Sequence, residues 1–458
     1  MPLSELTLTA RFIFPVDSAP IERGAVRIAG DRISFVGPLD RAADLDFGNA
    51  AIVPGFVNAH THLELSGLRA RELGGGSFVD WLRRVIESRR GQGAKQTSHA
   101  IQRGIDASLA AGTTLVGDIS TAGRSWKDLV RSPLRATVFC ELLGLRPARA
   151  AETAEAARQF LQWAGCTTDN ADAQPAASDD GPRSDADVGS VSFSDGTTLD
   201  ALPTARGDWS ARRLVPSLSP HAPYSTHSRL YELAATWSAR SRVPVCTHLA
   251  ETREELELLA GRGGPLRAFL DSVGAFDSAW SPAGPRPIDY LEQGPAGAAD
   301  WLLAHGNYLT NADIARLAAD SRAQRLRRSM VFCPRTHFYF GHARHPYAAM
   351  LAAGLNVCLG TDSLASTPSL SVLDELRFLH RRDPQLPGAS LLHMATLAGA
   401  QALGRDACGG SLTPGKFADL AVVRLADRPD GDPHNLVLDS DLPVIRTMIG
   451  GRVVFQLR

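Results

Sequence analysis

The sequence predicts an α/β chain: a (β/α)8 TIM-like barrel with short β segments at both ends. Three observations carry that expectation. Apolar, strand-like runs alternate with Ala-, Leu- and Arg-rich helix-like segments, the pattern of βα units in a parallel sheet. The runs number eight, at 56–62, 113–119, 135–143, 214–221, 243–250, 301–307, 329–335 and 355–362. Each ends at or near a polar residue, namely His62, Asp118, Glu141, His221, His248, His305, Arg335 and Asp362. In such a barrel the C-terminal strand ends carry the functional groups, so this polar rim marks the expected site.

The flanks read differently. "GAVRIAG" and "RISFVG" form a hairpin pattern around Asp31, and "ADLAVVRL" and "VIRTMIGGRVVFQL" answer them at the other end of the chain. Residues 1–53 and 408–458 are therefore expected to be β-rich, around a catalytic region at 54–407. Within that region, 165–210 is rich in Asp, Ser, Ala and Gly and lacks apolar periodicity, so it is expected to be a flexible surface insertion.

Composition removes several classes of function. At 458 residues the chain suits one large barrel with a small satellite. A net charge of -1 offers no electrostatic footprint for nucleic acid or an anionic membrane. No run of about 18 apolar residues occurs, and the N-terminus lacks a signal-peptide pattern. The six cysteines form no CxxC pair, and four of them lie in apolar runs, as expected of reduced thiols in a cytoplasmic protein.

The chemistry begins at "PGFVNAHTHLELS", residues 54–66. In an extended strand, positions i and i+2 face the same way, so His60 and His62 can share one cation. That pair alone also fits two hydrogen-bonded histidines. His248 in "CTHLAET" and Asp362 in "GTDSLAS" stand at other strand ends and tilt the reading toward a metal. Three imidazoles and a carboxylate leave a position for water, which is the pattern of a catalytic metal site rather than a structural one.

With "SLSPHAPYS", "LLAHGNYL" and the late "GSLTPGKFADLAVV", these motifs resemble the amidohydrolase superfamily over nearly the whole chain. Within it, the chain looks like the deaminase and chlorohydrolase branch. The resemblance implies a metal-bearing barrel beside a small β-sandwich built from both termini. It also implies His60, His62, His248 and Asp362 as ligands of one divalent ion, zinc ahead of iron(II). Relatives with two metals place a lysine on the fourth strand. Here that strand reads "RLVPSLSPHAPYS", and Lys95, Lys127 and Lys416 lie elsewhere.

The resemblance further gives Glu251 the protonation of a ring nitrogen, His305 the polarisation of the attacking water, and Asp362 the acceptance of its proton. A first-turn helix acid is the plainer reading of Glu251. Glu64 is a candidate for a ribose hydroxyl, against a plain loop carboxylate, and His221 for the water or the substrate. "CPRTHFYFGHARH" offers Arg335 as a partner for a substrate carboxylate. The implied activity is deamination of an adenine-containing nucleoside, with 6-amino-6-deoxyfutalosine the nearest match. Dechlorination, guanine or S-adenosylhomocysteine deamination, and a non-enzymatic metal-binding protein stay open, as does a homodimer.

Overall fold

The computed structural model describes residues 5–171, 190–192, 198–200, 202, 209–324, 326–428 and 431–457. Each of the eight runs contains a strand: β1 (Phe56–Thr61), β2 (Thr113–Thr121), β3 (Arg135–Leu142), β4 (Leu214–Pro220), β5 (Val245–Leu249), β6 (Trp301–His305), β7 (Arg328–Phe332) and β8 (Asn356–Leu359). Nearly every residue in them is buried. That burial on both faces is why the runs read as continuously apolar rather than alternating.

The strands form two four-stranded parallel sheets, in the orders β4-β3-β2-β1 and β5-β6-β7-β8. The sheets meet at both edges. On one side Thr61 bridges Asp362, and the N–H groups of Thr361 and Asp362 donate to the His60 carbonyl at 3.1 and 3.0 Å. On the other, the His248 N–H donates to the His221 carbonyl at 2.8 Å. Residues far apart in sequence are thereby drawn to one end of the strands.

The chain ends build the remaining β layer. Gly24–Ala29 pairs antiparallel with Arg32–Pro38 through a tight turn in which Gly30 has φ +65°. In the neighbouring six-stranded sheet, Leu420–Arg424 pairs with Ala50–Pro54, joining the two ends of the chain. Leu8, Val26, Ile52, Leu420, Val422 and Met448 share the core between these sheets. This layer is tied to β3 by Arg135, whose Nε donates to Asp419 at 2.5 Å while its guanidinium stacks 3.6 Å from the Phe417 ring.

One expectation needs revision. Residues 165–210 are not irregular throughout, because the helix Pro147–Ala171 runs into them and Ser190–Ser192 pairs with Thr198–Asp200. The rest of that stretch lies largely outside the described residues. The helix Phe78–Arg89 turns Trp81, Leu82, Val85, Ile86 and Arg89 toward a large cavity. Cys140, Cys246, Cys333 and Cys358 are buried free thiols. No helix among the described residues is long and apolar enough to cross a membrane.

Both members of the Arg135–Asp419 pair are nearly buried, with side chains 11% and 7% exposed. Removing one partner strands the other's charge, so Asp419→Ala is expected to cost about 3 kcal/mol, read as a shift in the urea midpoint.

Candidate active site

The site is assembled at the C-terminal ends of the parallel strands. His60, on β1, is completely buried, and neither of its ring nitrogens has a hydrogen-bond partner among the described residues. His62 follows the strand, placing its Nε2 3.5 Å from Asp362 Oδ1 and 3.3 Å from His248 Nε2. His60 Nε2 lies 4.0 Å from the same Asp362 oxygen. Donor atoms of His60, His62 and Asp362 lie within 4.8 Å of one another, as do those of His60, His248 and His305.

Protonation states follow from these contacts. His248 Nδ1 lies 2.9 Å from the His221 carbonyl, so that nitrogen carries the proton and donates it. Its Nε2 is then a lone pair facing His62 Nε2 at 3.3 Å. Burial holds His60, His62 and His305 well below the usual imidazole range and lowers His248 to about 4. Neutral imidazoles with converging lone pairs beside a carboxylate repel one another unless a cation lies among them. The donor set therefore fits a divalent metal ion.

The polar groups sit on unusual backbone. His305 and Asp362 have φ +72° and +57°, and Ala250, just before Glu251, has φ +50°. Left-handed non-glycine residues persist only where their surroundings hold them, and they concentrate at functional sites. His345 Nε2–H donates to the His305 carbonyl at 2.7 Å, and Thr61 Oγ1 donates to that of Asp362 at 2.9 Å. The buried Glu255 carboxylate accepts the N–H groups of Ala250 and Glu251 at 3.1 and 2.9 Å.

Glu251 precedes Thr252, the cap of the helix Arg253–Leu259, so it lies outside the helix rather than in its first turn. Its Oε1 lies 3.7 Å from His305 Nε2. Burial, reinforced by the Asp362 charge, pushes its carboxyl well above the usual range, which favours the proton-bearing form. Burial likewise raises Asp362 to about 7, while Ser366 Oγ donates to it at 2.9 Å. His221 is lowered to about 4 by burial, and its Nδ1 lies 2.5 Å from Ser225 Oγ.

A cavity of about 550 Å³ opens above this cluster. His62, His221, His248, Glu251, His305 and Asp362 all line it. Trp81, Leu82, Val85, Ile86, Phe269 and Leu270 supply apolar wall, with Arg89, Arg146, Arg149 and Glu141 among them.

Two sequence candidates are placed elsewhere. Glu64 does not line the cavity, because its carboxylate is already saturated. Oε1 accepts from Ser120 Oγ and the Thr121 N–H at 3.0 and 2.5 Å, and Oε2 is paired with Arg89 at 2.6 Å. Arg335 is also withdrawn from the cavity. Its Nε donates to Glu375 at 2.7 Å and its Nη2 to the Ser369 carbonyl at 2.9 Å, with Glu375 fully buried behind it. A buried carboxylate claims the guanidinium that the sequence offered to a substrate. Sequence reasoning missed Arg146 and Arg149 in "GLRPAR", although their place just beyond the third strand was the available signal.

The sequence profile of the amidohydrolase family matches residues 51–454. This chain belongs to that family. An aminodeoxyfutalosine deaminase from Deinococcus radiodurans is 29% identical over 83% of this chain and 81% of its own. A 5-methylthioadenosine/S-adenosylhomocysteine deaminase from Moorella thermoacetica is 26% identical over 90% of this chain and 83% of its own. Among solved structures, an adenosine deaminase from Xanthomonas campestris with bound zinc superposes with a TM-score of 0.72. It is 22% identical and covers 98% of this chain and 92% of its own. That likeness establishes a shared fold.

Arg335→Ala leaves Glu375 buried without its cation, so a loss of about 3 kcal/mol is expected in a denaturant titration. Wherever the variant remains folded, its KM should stay within about twofold of the parent's, since the residue touches no part of the cavity.

Proposed function

We propose that this protein is a metal-dependent hydrolytic deaminase of an adenine-type nucleoside. The observation that carries the reading is Glu251, a buried carboxyl 3.7 Å from His305 in a cavity that also holds the imidazole and carboxylate cluster, where burial favours its protonated form. His60, His62, His248 and Asp362 would hold one divalent ion, zinc in the first instance. When bound, such an ion supplies Lewis acidity that brings the pKa of water down toward about 7.

The chain's own groups perform the proton transfers. As water adds to the amino-bearing ring carbon, Asp362 takes a water proton and Glu251 gives its proton to the ring nitrogen. His305, facing Glu251, orients the adding oxygen. Ammonia leaves as the carbon–nitrogen bond breaks, taking the proton held by Asp362. Glu251 regains a proton from the new hydroxyl, and the ring carbonyl forms. General acid catalysis of this kind contributes roughly 10²–10⁴-fold. The eight strands act in this reading as one closed barrel, supported by the hydrogen bonds at both sheet edges and by the family's fold. Residues 1–53 and 408–458 form its composite β-domain around the catalytic region 54–407.

The cavity wall supports a finer choice of substrate. Arg146 and Arg149 line it, and the acids that share the lining are Glu141, Glu251 and Asp362. An apolar wall with arginines suits an arene carboxylate on the sugar, as in 6-amino-6-deoxyfutalosine. An amino-acid tail, as in S-adenosylhomocysteine, brings an ammonium beside these arginines, where the neighbouring acid, Glu152, already pairs with Arg149 at 2.9 Å. The neutral thioether of methylthioadenosine suits the apolar wall but offers the arginines no charge.

Ammonia release by the zinc-loaded protein tests both levels, with aminodeoxyfutalosine, S-adenosylhomocysteine, methylthioadenosine, adenosine and guanine as substrates. The benzoate-bearing nucleoside should show the highest kcat/KM, and equal rates with S-adenosylhomocysteine would overturn that choice. Silence on all five, with chloride released from a chlorotriazine, would overturn deamination. Glu251→Gln should lower kcat by roughly 10²–10⁴-fold while metal content per chain stays unchanged.

A further inference from the structure

Glu64, the carboxylate that the sequence offered to a substrate hydroxyl, is saturated by Ser120, Thr121 and Arg89. The cavity presents another. Glu141 ends β3, lines the cavity and is nearly buried, its side chain 10% exposed. No hydrogen bond reaches its carboxylate from the described residues, and His221 Nε2 faces it at 4.0 Å.

Other buried carboxylates nearby are supplied with donors: Glu255 by Ala250 and Glu251, Glu375 by Arg335, and Asp362 by Ser366. Glu141 and Glu251 are the exceptions, and Glu251 already has a part in the reaction. A carboxylate that lines the cavity with no donor from the described residues is a ready acceptor for a ligand that brings O–H groups.

We infer that Glu141 is a specificity-determining residue that accepts hydrogen bonds from two adjacent hydroxyls of the substrate's sugar. The inference rests on the nucleoside reading of the site. Its placement fits a sugar rather than the reacting ring. The His221 ring stands between Glu141 and the ligand cluster, with its centroid 4.8 Å from that of His248. The two carboxylate oxygens match the two O–H groups of a vicinal diol.

Calorimetric binding of inosine and 2′,3′-dideoxyinosine to the zinc-loaded protein tests this without turnover. The parent should prefer inosine by about 20-fold or more. Glu141→Ala should reduce the preference to within about threefold while dideoxyinosine binding is unchanged, and Glu141→Gln, which keeps one oxygen, should fall between. A parent that does not distinguish the two sugars overturns the inference, as does a variant that weakens both ligands equally. Ammonia release from adenosine and 2′,3′-dideoxyadenosine separates the two levels. Deamination of both with equal kcat/KM removes the diol subsite alone, whereas silence on both with inosine still preferred removes the deaminase reading alone. Should the alanine variant fail to fold, the parent's preference and the glutamine variant decide.

Discussion

The arrangement depends on one electrostatic constraint: several ionisable groups from distant parts of the chain share one buried volume. His60, His62, His248, His305, Glu251 and Asp362 are drawn together at the ends of four parallel strands and the turns that follow them. Such groups tolerate burial only when neutral or compensated. Burial disfavours the charged forms of the imidazoles and of Glu251, and the neutral forms are those that metal ligation and proton donation require. The desolvation that makes the cluster costly also prepares it for chemistry.

Holding that cluster falls to residues that never face the cavity. Glu255 gathers the N–H groups on either side of the Ala250–Glu251 bond, and His345 fixes the carbonyl of the left-handed His305. Asp118 accepts the Leu63 N–H at 2.9 Å and so fixes the turn that follows His62. Asn58 Nδ2 donates to Thr361 Oγ1 at 2.7 Å, tying the first strand to the last where their ligands meet. The loop "CPRTHFYFGHARH" belongs to this supporting layer: His345 holds His305, and Arg335 neutralises Glu375.

Above the cluster, the helix Phe78–Arg89 and the segments after β3 and β5 form the wall. Arg89 shows how the layers connect, since it pairs with Glu64 behind the wall while lining the cavity in front. Loops and helices of this kind set the substrate, whereas the strand ends set the reaction.

Periodicity and spacing alone placed the eight strands, because a strand buried on both faces must be written as a continuous apolar run. The HxH pair, His248 and Asp362 were legible because their positions at strand ends follow from that same reading. Side-chain partnership was not legible. Glu64 and Arg335 carry suitable chemistry at suitable positions, yet buried partners fully engage both of them. Glu141 stood in the polar rim of strand ends without an assigned role, and Arg146 and Arg149 line the cavity from positions that looked ordinary in sequence. The sequence by itself determined the strands and placed the candidate metal ligands at their ends, since both follow from local spacing. Only the tertiary structure decided which charged groups remain available to a substrate, because that depends on donors and acceptors brought close by folding and not by sequence.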